Sequence, residues 1–586
     1  MSTKPPFINC HTHIFTGDHV PPYLAKTFLP APLYHLLPLS LIVKLFRFWY
    51  NNPYTWQFKP WYKNIQKSIY KIKMLGSRTG FSRVISFIIG LMISFHALYI
   101  LYDWLYCITK PTTIFGKTAS QFREWLTNHS LLFIPKTFSG KIILLLLLLV
   151  FFKSGRNIIF LILKKIWSFL GVLPGPKSKE LIGRYLNIGR FAFYKQQARI
   201  LGKLKSQYPE GTGIIILPMD MEYMGAGKLK NGFQYVNQME ALKDIKNRTE
   251  NKDNIFPFVF ADPRRMVQEG TSHFNYTFSN GKVTLGECFI KDYIEDNKFN
   301  GFKIYPALGY YPFDETLLPL WKYAADNALP ITTHCIRGTI YYRGNKKKEW
   351  DAHPVFQQSK GDDRYEPLSL LEIKNSDFIN NFTHPLNYLC LLEEKLLRKL
   401  VQQAKNESTK QLFGYTNPNT ELKYNLSHLK LCFAHFGGDD EWNRFMEKDR
   451  DNYASQLIQN PLTGITFFKD KNGNLSHGKL EQIWKYADWY SIICSLMLQY
   501  ENTYADLSYI IHNPDIQPLL KQTLINGGLK QRVLFGTDFY VVRNHKSEKS
   551  MLADMAIHLT EEDFDQIARI NPRNFLNTIL HGPVKI

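Results

Sequence analysis

His11 and His13 stand two residues apart in FINCHTHIF, an apolar run from Phe7 to Phe15. On a strand, residues i and i+2 leave from the same face, so the two imidazoles can converge without backbone strain. Two ring nitrogens on one face suit a shared divalent ion. The pair is equally compatible with two histidines hydrogen-bonded along a strand, so the spacing alone leaves both readings open.

Other residues with metal or acid–base chemistry also end apolar runs. His334 closes PITTHC, Asp538 closes RVLFGTD, and His435 closes LKLCFAH ahead of Phe436, Gly437 and Gly438. Lys303 and Tyr305 lie in GFKIYPA, and Asp506 and Ser508 in TYADLSY. Asp220 and Asp262 end two further runs, GIIILPMD and FPFVFAD, and Arg264 and Arg265 follow the second of them.

Elements that could bring these residues together are short β-branched or aromatic runs separated by helical stretches. The expected strands are Phe7–Phe15, Gly213–Asp220, Phe256–Asp262, Gly301–Ala307, Pro330–Cys335, Leu429–His435, Thr503–Tyr509 and Arg532–Asp538. Eight strand runs alternating with helices predict an α/β fold of the (β/α)8 TIM-barrel type, whose chemistry sits at the C-terminal strand ends. The polar segment at about 338–380, with Lys346, Lys347 and Lys348, reads as a long loop insertion over the substrate side.

Together the segments NCHTHIF, FVFADPRRM, NGFKIYPALGYYPFDE, LPITTHC, LKLCFAHFGG, NTYADLSY, RVLFGTDF and INPRNFL resemble, in order and spacing, the amidohydrolase superfamily. The resemblance is to the amidohydrolase family 2 branch that includes decarboxylases related to aminocarboxymuconate semialdehyde decarboxylase. It covers roughly residues 5–15 and 210–580 and is silent on the segment between. It implies one divalent metal, most often zinc, on His11, His13, His334 and Asp538, with His435 and Asp538 in catalytic roles. A metal-activated water would then attack a C–N or C–O bond of a small substrate. Non-oxidative decarboxylation on the same ligands is the first alternative, and a non-catalytic binding protein with a retained metal site is the second. Lys303 either bridges two metals as a carboxylated lysine or pairs with a substrate carboxylate or Asp262. Tyr305 is expected to touch substrate, and Asp506 and Ser508 to orient the ligands. Arg264 and Arg265 suit an anionic group or a surface ion pair. Cys10, Cys335 and Cys432 are expected to turn away from the metal and serve packing.

Charge separates the chain into two kinds of sequence. Residues 19–208 carry 27 Lys and Arg against three acids, whereas the remainder carries 45 basic and 47 acidic residues. The first barrel strand with its HxH pair therefore spans 1–18, a hydrophobic and basic helical insert spans 19–208, and the rest of the barrel spans 209–586. Apolar runs at 84–108 and 142–163 have the length expected of membrane spans, and the clustered basic flanks predict a membrane-associated protein with its catalytic barrel in the cytoplasm. Amphiphilic substrates fit an insert that emerges beside the strand ends. Basic residues clustered among lipid-like runs argue against nucleic acid as a partner. A homodimer is compatible with the sequence. Seven scattered cysteines without a C-x-x-C exclude a disulfide framework and a cysteine zinc site.

Overall fold

The computed structural model describes residues 4–24, 80–108 and 194–584, apart from short gaps at 339, 362–363, 371–376, 448–452 and 469–477, and scattered positions between 64 and 144. The chain divides into two compact units, Met1–Val43 with Gly183–Ile586, and Lys44–Ile182. The second unit falls inside the segment read as an insert.

The first unit is a mixed α/β fold around parallel strands. A three-stranded sheet has the order β1 (Ile8–Thr12), β2 (Gly213–Ile216), β3 (Ile255–Pro257). A six-stranded sheet contains β4 (Val259–Phe260), β7 (Phe302–Ile304), β8 (Ile331–Ile336), β11 (Leu431–Gly437), β12 (Thr503–Asp506) and β13 (Val533–Leu534), neighbours in that order. Most strand cores are shorter than their apolar runs; His11, His334, His435 and Asp506 lie within strands, whereas His13, Asp220, Asp262 and Asp538 fall in the turns beyond.

Backbone hydrogen bonds join the two sheets at both edges. Phe258, the single residue between β3 and β4, donates its N–H to Ile216 O at 3.0 Å, and Val259 donates to Gly301 O at 2.9 Å. At the other edge Thr12 bridges Phe539 in parallel, Cys10 N–H donates to Phe535 O at 2.8 Å, and Asp538 N–H donates to His11 O at 2.9 Å.

Helices follow the strands for local reasons. Asp262 caps the helix Pro263–Glu269 by accepting the Arg264 N–H, with proline at the first helical position. Asp488 caps Trp489–Gln499 in the same way through Ser491 N–H at 2.6 Å. A small buried cluster contains Ile8 and Cys10 of β1, Ile215 of β2, Phe256 of β3, Cys432 of β11 and Leu534 of β13, with Phe575 and Leu576 against it. It draws side chains from both sheets.

Two antiparallel hairpins decorate the unit. β5 (Tyr276–Ser279) and β6 (Lys282–Leu285) turn through Asn280 and Gly281, both with positive φ, as a two-residue hairpin requires. β9 (Ala352–Ser359) and β10 (Tyr365–Ser369) lie within the long segment expected at 338–380. Its beginning bonds to the connections that follow β7 and β2: Tyr342 N–H donates to Ala307 O at 2.8 Å and Arg343 N–H to Met224 O at 2.6 Å.

The transmembrane expectation is corrected. The first apolar run forms the helix Gly80–Ile108, but no helix among the described residues is long and apolar enough to cross a membrane. The second expected span lies, beyond residue 144, outside the described residues.

Candidate metal centre

A register shift in β1 between Asn9 and Thr12 sets the site's geometry. As alternation expects, Cys10 packs in the small cluster with Cys432, while His11 and His13 meet each other. Cys432 Sγ lies 3.8 Å from Asp506 Oδ2, so this cysteine touches the site's support as well as packing.

His11 Nε2 and His13 Nε2 are 3.3 Å apart. Asp538 Oδ1 lies 3.3 Å from His13 Nε2 and 3.7 Å from His11 Nε2. The other nitrogens are committed: His11 Nδ1 donates to Asp506 Oδ2 at 2.9 Å and His13 Nδ1 to Leu217 O at 2.8 Å. Those partners assign the proton to Nδ1 in both rings and leave both Nε2 lone pairs facing inward. Two lone pairs and a carboxylate oxygen thus converge with no donor among them, an arrangement that repels itself until a cation enters. Zinc held tetrahedrally by bonds of 2.0–2.1 Å separates its ligand atoms by about 3.3–3.4 Å, close to what these three atoms show. The residues present fit a divalent ion.

Asp506 supports the centre from below. Its Oδ1 accepts the N–H groups of His435 and Ser508, each at 3.0 Å, and the Ser508 hydroxyl. Ser508 Oγ also lies 3.0 Å from His11 Nδ1 and 2.9 Å from His435 Nδ1. These are the orienting contacts that metal-bound imidazoles require. His11, His435 and Asp506 form a second group of converging donors.

His334 stands beside the three-residue group without joining it. Its Nδ1 lies 3.1 Å from His435 Nε2, and its Nε2 is buried without a partner. The ring therefore repeats the pattern of His11 and His13, one nitrogen anchored and Nε2 free. Tyr305 stacks on it with centroids 3.8 Å apart and planes 13° from parallel. A Cβ on Gly338 would sit 3.4 Å from His334 Nε2 and 3.6 Å from the Tyr305 hydroxyl, so the loop passes directly over this pair.

Burial disfavours the charged form of His11, His334 and His435, and a neutral ring is the form a metal needs. It pushes His11 and His334 well below the ordinary imidazole value, helped at His11 by Lys303 and at His334 by His435. It takes His435 to about 3, with His11 adding to the effect. Burial also lowers Lys303 to about 8 against the opposing pull of Asp506 and Asp538. Lys303 Nζ is buried with no hydrogen-bond partner. The pairing of Lys303 with Asp262 does not form, because Arg264 holds both Asp262 oxygens, through Nε at 2.8 Å and Nη2 at 2.5 Å.

Backbone strain gathers at the same place. His435, Phe436, Tyr509 and Asp538 all have positive φ, between 43° and 64°, where a non-glycine residue costs about 1–3 kcal/mol. Asp506 offsets this at His435 by accepting its N–H, and the His11 carbonyl does so at Asp538. Gly536 allows β13 to close on β1, since a Cβ there would lie 3.0 Å from His11 Cβ.

Arg264 and Arg265 both make ion pairs, the first with Asp262. Arg265 is buried and paired with Asp220 at 2.6 Å, Glu222 at 3.1 Å and Glu269 at 2.5 Å, a structural network within the fold. Conversely, Asn9, Tyr208, Thr537 and Glu548 form a buried polar group against β1 that nothing in their sequence context announces.

No family model matches the chain, and no curated protein matches it.

Proposed function

We propose that the chain is a metal-dependent hydrolase with its centre at His11, His13 and Asp538, at the C-terminal strand ends of a (β/α)8 barrel. The barrel reading is supported by hydrogen bonds that join the two sheets at both edges and by the cluster that takes side chains from both. The observation that carries the function is the meeting of two unprotonated Nε2 atoms with a carboxylate oxygen.

A divalent ion bound there, zinc by the chemistry of its donors, supplies Lewis acidity that polarises a scissile carbonyl and acidifies water. His11 and His13 hold it as neutral ligands, fixed in rotation by Asp506 and Leu217. Asp538 both ligates and takes up a proton at its free oxygen. His334 brings a further unpartnered Nε2, and its Nδ1–H donates to His435 Nε2. His435 in turn donates from Nδ1 to Ser508, so a proton gained at the His334–His435 pair is shared over an anchored path. Lys303 Nζ offers an unspent cation to an anionic part of the substrate, and Tyr305 fixes the His334 ring by stacking.

Contact of the helix Gly80–Ile108 with a lipid surface, short of spanning it, is a separate proposal, supported by its exposed Phe81, Phe87, Ile88 and Leu91. Co-sedimentation of the purified chain with vesicles tests it. The catalytic proposal is tested by screening amides, lactones and carboxylated aromatics against wild type, His11→Ala and Asp538→Asn. Metal-dependent turnover with water incorporated, lost in both variants, supports a hydrolase. Release of CO2 reassigns the same centre to decarboxylation, and turnover unaffected by both substitutions overturns the site.

A further inference from the structure

Three fully buried polar residues and one nearly buried tyrosine form a hydrogen-bonded group behind the metal loop. Asn9 Nδ2 donates to Tyr208 Oη at 2.9 Å and to Thr537 Oγ1 at 2.8 Å. Asn9 Oδ1 accepts from the backbone N–H of His11 and of Thr537, each at 3.2 Å. Tyr208 closes the group by donating its hydroxyl to Glu548 Oε2. All four side-chain roles of the Asn9 amide are used, two donors and two acceptances, a full complement for a buried amide.

The placement of these partners along the chain gives the group its meaning. Asn9 precedes the ligand His11 by two residues, and its oxygen fixes the His11 amide. Thr537 immediately precedes Asp538, whose backbone is in the left-handed region and does not hold itself there. One amide therefore grips both ligand-bearing segments. Tyr208 takes the second Asn9 N–H, which would otherwise be a buried donor without a partner, and so completes the hold on the amide. Tyr208 belongs to the segment that leads back into the fold just before β2, and Glu548 opens the helix Glu548–His558, capped by Ser547.

We propose that Tyr208 is a positioning residue for the metal centre: through Asn9 and Thr537 it holds Asp538 in register with His11 and His13. The segment that returns from the insert thereby sets how tightly the centre binds its ion. This rests on the metal reading for its binding consequence, while the placement of Asp538 is testable without any metal.

The experiment uses the full chain with cobalt(II) as the probe, comparing wild type, Tyr208→Phe and Tyr490→Phe. Tyr490 is a matched control, a buried tyrosine whose hydroxyl bonds Thr523 at 2.7 Å away from the centre. Two readouts are taken: cobalt affinity with its visible absorption spectrum, and amide exchange of a peptide covering 535–542. Tyr208→Phe is expected to weaken cobalt binding about 10-fold or more, alter the spectrum and speed exchange at 535–542. Tyr490→Phe is expected to lose comparable thermal stability with affinity, spectrum and local exchange unchanged. Equal behaviour of the two variants overturns the proposal. Should wild type take no cobalt, the metal reading fails and exchange alone decides: selective loosening in Tyr208→Phe upholds the positioning role, and its absence overturns it. Thr537→Val, which removes one acceptor of Asn9 with little change of shape, replaces Tyr208→Phe under the same criteria if that variant does not fold.

Discussion

His11 and His13 face each other through Nε2 atoms 3.3 Å apart, while the Nδ1 of each is already bound to an acceptor. Neither ring can donate to the other in that state. The contact is stable once a cation lies between them and Asp538, and the predictions below follow from that relationship.

Removing a first ligand should release the ion. His13→Ala is expected to lower affinity for zinc or cobalt by more than about 100-fold, beyond the 10–100-fold typical of lost orienting partners. Competition against a chromophoric chelator measures it, and an affinity within a few fold of wild type would place the ion elsewhere.

Asp506 accepts hydrogen bonds from His11, His435 and Ser508. Asp506→Asn keeps the shape but presents a donor in place of an acceptor on one side. Metal affinity should fall about 10–100-fold while the far-ultraviolet circular dichroism stays native. Calorimetric titration of both proteins tests this.

Gly536 is where β13 and β1 touch. Gly536→Ala would set a Cβ 3.0 Å from His11 Cβ and 3.3 Å from Ser508 Cβ. Overpacking of this kind costs about 1–3 kcal/mol, and it should act through His11, so melting temperature and metal affinity should fall together. A fall in melting temperature with unchanged affinity would detach this glycine from the centre.

Glu548 makes stability depend on pH. Burial raises its carboxyl to about 7, against the lowering effect of the Tyr208 hydrogen bond. From about 4.5, its unfolded value, to about 7 the folded chain holds more protons than the unfolded one, so stability falls as pH rises through that window. The loss is complete above pH 7 and amounts to about 3 kcal/mol at most. Glu548→Gln should flatten this part of the profile in denaturant unfolding from pH 4.5 to 8, whereas an unchanged slope would show that another group carries it.

The parts of the site legible in the sequence were those placed by strand ends. His11, His13, Asp538, His435, Asp506 and Ser508 close apolar runs, and the fold brings them together because parallel strands all end on one side. His334 stands beside the three converging atoms with its Nε2 free and its Nδ1 3.1 Å from His435 Nε2, and spacing along a chain carries no such distance. Alternation placed Cys10 correctly in the packing cluster, whereas the register shift in β1 between Asn9 and Thr12 has no signature in the sequence. The grip of Asn9 on Thr537 joins residues over 500 positions apart, and Tyr208 and Glu548 carry no local pattern at all. Length and hydropathy suggested membrane spans, but no helix among the described residues is long and apolar enough for one.

The most direct measurement is the metal stoichiometry of the purified full chain, by elemental analysis after exhaustive dialysis, beside His11→Ala prepared identically. One equivalent of a divalent transition metal per chain in wild type, absent from the variant, is the predicted result. A metal-free wild type that also fails to take up added zinc or cobalt, or equal metal in both proteins, would contradict a centre at His11, His13 and Asp538.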